Sequence, residues 1–244
     1  MADAKRPKWA QFEVKEKTSD GVRAIITGEE GSGKTFLASS DEKGRLLDAD
    51  DGAKFYDIPR IPMLDWDATD LYDFLDAFIR EPIGNLHFDT LTSIVRIITA
   101  EVCKKEKVEE LRKVAWGGGQ DALVDELLKQ LLNRLDKIVR MGHHVIIYGH
   151  STIKMVKDPS LPQHEQAQAR LHQKSQDLIA EWCDLWGNLS LQKSHDGEGG
   201  VVKSQTRVLH VTESADIKAK NRFGLKEPII DPSWPKIFEL LGVK

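Results

Sequence analysis

An α/β fold with a mostly parallel sheet and an antiparallel C-terminal extension is predicted by three observations. A glycine-rich loop pattern sits between a strand-like and a helix-like run, short apolar runs alternate with amphipathic segments, and two late strand-like runs flank a turn-rich centre. The loop is Gly28-Glu29-Glu30-Gly31-Ser32-Gly33-Lys34-Thr35, a full match to the phosphate-binding pattern G-x-x-x-x-G-K-[ST]. Its glycines let backbone N–H groups turn inward around phosphate oxygens. Lys34 is placed to reach the terminal phosphates of ATP, and the Thr35 hydroxyl to ligate Mg²⁺.

The elements follow in order. Residues 11–17 alternate in polarity and residues 19–21 are turn-like, so the N-terminus reads as a hairpin leading into the loop. Residues 22–27, with Val22, Ala24, Ile25 and Ile26, suit a buried strand, and Thr35-Phe36-Leu37-Ala38 opens a short helix. Residues 45–48 form a second strand ending in the acidic cluster Asp48, Asp50 and Asp51. From residue 67 to 80, Leu71, Phe74, Leu75, Phe78 and Ile79 recur at helical spacing behind Asp67, a plausible N-cap. Residues 85–89 are a third strand, followed by a helix over 91–102, a charged continuation over 104–113 and a mobile break at Trp116-Gly117-Gly118-Gly119. Leu123, Leu127, Leu131, Leu135 and Ile138 form one apolar stripe on a long helix that delivers the chain to a strand at 144–148.

The last third has a different texture. Residues 154–174 are polar and contain Pro159 and Pro162, which predicts a long functional or disordered loop. Residues 185–192 and 201–212 flank Asp196-Gly197-Glu198-Gly199-Gly200 and read as an antiparallel hairpin, and residues 234–241 as a closing helix. The domain organisation read from this pattern is an N-terminal arm over 1–21, a core over 22–228 and a C-terminal helical segment over 229–244.

Composition narrows the class. A net charge of −4 over 244 residues excludes a uniformly basic nucleic-acid coat. Cys103 and Cys183 stand far apart with no CxxC, which argues against a zinc site or a disulfide framework and suits a reducing compartment. No apolar run reaches the length of a membrane span and the charged start lacks a signal-peptide core, so a soluble intracellular protein is expected.

Hydrolysis of ATP needs a second group on Mg²⁺, and Leu86-His87-Phe88-Asp89-Thr90 supplies Asp89 at a strand end. His87 interrupts the apolar run, and an N-cap for the next helix is the alternative role for Asp89. A residue orienting the attacking water is expected at the end of a neighbouring strand, where Asp48, Asp50 and Asp51 fall. This order, with a further strand ending in polar His150, resembles the RecA-like P-loop ATPases. That resemblance implies a RecA-like core in which Asp50, with Asp51 beside it, takes the place of a water-activating glutamate. His150 then occupies the γ-phosphate sensor position, although a structural histidine fits the same pattern. Lys218-Ala219-Lys220-Asn221-Arg222-Phe223-Gly224 is similar to the Lys-x-Arg element with which RecA-like recombinases and DnaB-type helicases reach the γ-phosphate of a neighbouring protomer. Lys220 and Arg222 are its cations, and a solvated basic turn is the alternative.

Gly149-His150-Ser151, residues 178–184 and residues 220–225 resemble phage-encoded single-domain RecA-like proteins, including the Sak-four single-strand annealing proteins. The resemblance implies an ATPase of phage recombination that works on single-stranded DNA as a ring or filament in the bacterial host cytoplasm. A host single-strand-binding protein would be a further partner. A nucleotide-regulated adaptor without catalysis, or a motor or helicase loader, are the competing functions. In RecA-like proteins the DNA-binding loops leave the sheet where two segments fall here. Lys104, Lys105, Lys107, Arg112 and Lys113 precede Trp116 in the first, pairing cations for phosphates with a ring that can stack on a base. Lys154, Lys157, Arg170, His172 and Lys174 belong to the second. Acidic residues dilute both segments, so solvated helix and loop remain open alternatives.

Overall fold

The computed structural model describes residues 20–157, 162–195 and 202–243. The expected hairpin at 11–17 and the turn at 196–200 lie outside the described residues. Alternation of apolar positions decides the architecture. In β1 (Arg23–Gly28) Ile25 faces one core, whereas Ala24 and Ile26 face the other. The same division holds along β2 (Gly44–Asp48), β4 (Asn85–Asp89) and β5 (Val145–Val156), so the sheet is buried on both faces.

Between β2 and β4 run the short edge strand β3 (Arg60–Pro62) and helix α2 (Ala68–Arg80), whose N-cap Asp67 closes a capping box with Asp70. Helix α3 (Leu91–Glu106) follows β4. One long helical run then carries the predicted stripe, with α4 (Gly119–Glu126) passing through a π-helical turn at Leu127–Leu132 into α5 (Asn133–Arg140). Leu123, Leu127, Leu131, Leu135 and Ile138 are all buried. These helices and α6 (Gln173–Trp182) cover one face of the sheet. Helix α1 (Lys34–Ala38) and the closing helix α7 (Trp234–Leu241) cover the other.

The sheet order is β10-β8-β7-β1-β5-β4-β2-β3, with β6 (His164–Ala169) paired to β5 and β9 (Lys220–Asn221) paired to β7. Strands β3, β2, β4, β5, β1 and β7 (Leu185–His195) run parallel. Strands β8 (Val202–His210) and β10 (Ile229–Ile230) add the antiparallel extension. Strand β5 separates the phosphate-loop strand β1 from β4, so the loop and Asp89 emerge on one edge with His150 between them.

Two expectations require correction. The described residues of the segment 154–174 are largely strand and helix rather than loop, because β5 continues to Val156 and pairs antiparallel with β6 from Ser151 onward, building an arm. The charged continuation past residue 104 stops at Glu106, where Lys107 takes a left-handed conformation (φ 55°) as C-cap. Edge strand β3 had no counterpart in the sequence reading. His87, in contrast, proves to be a core residue. Its Nε2 lies 2.9 Å from Asp41 and its Nδ1 3.1 Å from the Tyr148 hydroxyl, which accepts from Trp234 Nε1 at 2.7 Å. Trp234 is donor only, so Tyr148 passes its own proton to Nδ1 and the imidazole donates through Nε2 to Asp41, which also accepts from Asn85 at 2.8 Å. A fully satisfied chain of polar groups thus ties α7, β5 and β4 to the segment after α1.

Candidate phosphate-binding site

The loop between β1 and α1 is shaped by two glycines in the left-handed region, Gly31 (φ +77°) and Gly33 (φ +97°). Gly28 is needed for a different reason, since a Cβ there would sit 2.4 Å from the Leu189 carbonyl oxygen. Lys34 is buried and its ammonium crosses the loop to the carbonyls of Gly28 (3.0 Å) and Glu29 (2.8 Å). Burial lowers its pKa, with Asp89, Glu30 and Glu29 acting in the opposite direction. An entering phosphate would restore the charge stabilisation that burial removes.

Thr35 donates its hydroxyl proton to Asp89 at 2.8 Å. Burial raises the Asp89 pKa, against the Thr35 hydrogen bond and the charge of Lys34, while Asp48 and Asp50 reinforce the rise. The two oxygens are therefore already together, and Asp89 sits where a cation would relieve it. Thr35 and Asp89 fit Mg²⁺ bound in the usual manner, with few protein ligands and the remainder from phosphate and water. Among the described residues no group of three or more His, Cys, Asp or Glu is placed to hold a metal ion.

A cleft of about 360 Å³ opens over the loop and is bordered by Lys34, Thr35, Asp48, Asp50, Asp89 and His150. The three clustered aspartates are sorted by their partners. Asp48 is buried and structural, accepting from the N–H groups of Gly52 (3.1 Å) and Ala53 (3.0 Å) and pairing with Arg60. Asp51 turns away to Arg60 (2.5 Å) and Lys54 (3.4 Å). Asp50 is exposed in the cleft, held by Ser93 at 3.3 Å. His150 borders the same cleft, and its buried Nδ1 has no hydrogen-bond partner among the described residues.

The remaining expected site residues lie elsewhere. Lys220 and Arg222 are at the opposite edge of the sheet, beside the start of β1. The Lys220 ammonium caps the end of α6, bonding to the carbonyls of Ala180, Glu181 and Cys183. Arg222 pairs with Asp184 at 2.9 Å and bonds to the Glu181 carbonyl at 3.0 Å. Neither touches the cleft of its own chain. In the two segments expected to meet DNA, several cations are already engaged. Lys105 pairs with Glu126 (2.7 Å), Arg112 with Glu110 (2.5 Å), Lys113 with Glu109 and Lys174 with Asp121 (2.6 Å). Lys154 donates to the Leu171 carbonyl at 2.9 Å. Lys104, Lys107, Lys157 and Arg170 form no ion pair among the described residues, and Trp116 projects its ring fully into solvent at φ 57°. Two cleft residues were missed, Tyr56 and Arg207 on β8. An arginine in an alternating strand reads as a solvent-facing position, and no motif marks it.

Comparison with known protein families settles the class, since the profile described as AAA domain matches residues 20–223. The chain belongs to the AAA domain family. This is a family of P-loop nucleotide-binding ATPases, in agreement with the loop, the Thr35–Asp89 pair and the mostly parallel sheet. No curated protein matched the chain. No helix among the described residues of this AAA domain protein is long and apolar enough to cross a membrane.

Proposed function

We propose that this AAA domain protein hydrolyses ATP with Mg²⁺ and couples the hydrolysis to work on single-stranded DNA as an assembly of several protomers. The observation that carries the reading is the cleft, in which Lys34, the Thr35–Asp89 pair, Asp50 and the unpartnered His150 Nδ1 converge on one volume. Lys34 and the loop N–H groups would bind the phosphate chain, and Thr35 and Asp89 would hold Mg²⁺, which when bound would neutralise charge on the transferred phosphoryl group. Asp50 orients the attacking water and takes its proton, while His150 donates to or senses the terminal phosphate.

The DNA-directed part rests on the resemblance to phage single-strand annealing proteins and on Trp116, a fully exposed ring that follows in sequence Lys104 and Lys107, which form no ion pair among the described residues. Annealing or strand pairing in phage recombination is the role we assign on that basis. Assembly rests on the resemblance alone, and Lys220 and Arg222 would have to leave the α6 carbonyls and Asp184 that hold them here to reach the cleft of a neighbour. The test is steady-state phosphate release with Mg²⁺, with and without single-stranded DNA, across protein concentration. Turnover that requires Mg²⁺, rises with DNA and increases per protomer with concentration is expected. Mg²⁺-dependent turnover that ignores both DNA and concentration would leave a simple ATPase, and nucleotide binding without turnover would favour the adaptor.

A further inference from the structure

The cations expected to face the nucleotide were Lys34 from the loop and Lys220 and Arg222 from a neighbouring chain. Arg207 changes that inventory. It leaves β8 opposite Leu191 of β7, and its backbone carbonyl accepts from Asp231 N at 2.8 Å, so the base of the side chain is anchored on both sides. The side chain runs onto the phosphate loop. Its guanidinium carbon stands 4.4 Å from the ring centroid of Phe36, and a Cβ added to Gly33 would lie 2.4 Å from its Nε. Gly33 is therefore required twice, for its backbone conformation and for the arginine lying against its Cα.

Among the described arginines, Arg207 is set apart by a buried nitrogen that lacks an acceptor. Arg23, Arg60 and Arg134 each pair with an aspartate. Arg207 has no carboxylate partner among the described residues, and its Nε is buried without a hydrogen-bond acceptor. An arginine that only braces structure is expected to fork onto a carboxylate or carbonyls. Here the guanidinium lies over the ring of Phe36, one residue after Thr35, and borders the same cleft as Lys34, Asp89 and His150.

We propose that Arg207 is a nucleotide-binding residue supplied by the same chain, which donates from its guanidinium to the phosphate chain of the bound nucleotide. Phe36 is the residue that positions it. This rests on the reading of the cleft as a nucleotide site, and it adds a cation that every protomer carries whether or not it is assembled.

Binding of ATP and of inorganic tripolyphosphate, each with Mg²⁺, should be measured by calorimetry on the wild type and on the Arg207→Ala, Arg207→Gln and Lys34→Ala variants. Folding of each is checked by circular dichroism. Glutamine keeps part of the stem over Phe36 and covers the case in which alanine does not fold. Loss of one charged hydrogen bond predicts affinity weaker by about tenfold to a hundredfold for either Arg207 variant, and by the same factor for both ligands. Equal loss on both ligands supports a phosphate contact. Loss for ATP alone would place Arg207 against the base or sugar and overturn the proposal. Unchanged binding in the Arg207 variants, with binding abolished by Lys34→Ala, would also overturn it while leaving the nucleotide site intact. Unchanged binding in a folded Lys34→Ala protein would remove the nucleotide site itself, and this assignment with it.

Discussion

Asp89→Asn is expected to make the free protein more stable and to shrink the stabilisation it gains from Mg²⁺-ATP. Burial pushes the Asp89 carboxyl above its ordinary value of 3.8, so the carboxylate is less welcome in the fold than in the unfolded chain. The sign follows directly. Stability linked to this group is present while it is protonated and is lost as pH rises from the unfolded pKa through the higher folded one, so at neutral pH the charge is a burden. An amide has the same shape, can still accept from Thr35, and removes the repulsion from Asp48 and Asp50. Relief of such a functional-site cost is worth roughly 0.5–2 kcal/mol, or about 1–8 °C in Tm for a chain of this size. Ligand linkage should show the reverse. At a Mg²⁺-ATP concentration of about 100 times Kd the wild type gains about 2.7 kcal/mol, or about 5–11 °C. A variant binding tenfold more weakly gains about 1.4 kcal/mol at the same concentration, or about 3–6 °C. Thermal melts with EDTA, Mg²⁺ and Mg²⁺-ATP measure both effects. A free Asp89→Asn protein that melts below the wild type, or one that keeps the full ligand shift, would refute the assignment of a buried carboxylate kept for the metal.

Asp50→Asn should keep the Mg²⁺-ATP shift while phosphate release falls by about 10²-fold or more, and Asp51→Asn, whose carboxylate only meets Arg60 and Lys54, should retain turnover. The opposite ranking in a phosphate-release assay would move the base to Asp51. Asp41→Ala strips the acceptor from His87 and Asn85 in the core and should cost about 1–3 kcal/mol for each buried donor left unsatisfied, read by urea denaturation. A loss below about 1 kcal/mol would show that the chain from Trp234 to Asp41 contributes little. Burial lowers the His87 pKa despite Asp41, so this ring is neutral in the fold and takes a proton only on unfolding. Its stability contribution is present above the unfolded value of 6.5 and is lost as pH falls from there through the lower folded pKa. Denaturation between about pH 8 and about pH 5 with His87→Gln as reference checks this, and equal pH slopes in both proteins would count against a neutral His87.

The phosphate loop, the strand ending at Asp89 and the Leu123–Ile138 stripe were legible because each is set by local chemistry: glycine dihedrals, an apolar run, a helical period. The arm built by β6 was not, because its inward positions are glutamines. Gln166 and Gln168 are buried, and they are satisfied by one another and by the Ser214 carbonyl rather than by apolar packing. A polar inward face reads as loop. His87 broke an apolar pattern for a similar reason, since its partners Tyr148 and Trp234 come from distant parts of the chain. Asp50 was favoured over Asp51 only through the resemblance, and the pairing of Asp51 with Arg60, which turns it from the cleft, depends on β3, an edge strand that the sequence reading lacked. Arg207 was invisible because only the fold lays β8 beside the phosphate loop.

Strand β5 has a consequence for how the molecule is wired. Its first residues are clamped between β1 and β4, His150 stands beside the phosphate cleft, and the same strand leaves the sheet to pair with β6 as far as Val156. Six residues of extended chain span about 20 Å. The imidazole beside the phosphates and the exposed Ile153 and Met155 of the arm therefore lie on one continuous strand, within a few residues of each other along the main chain.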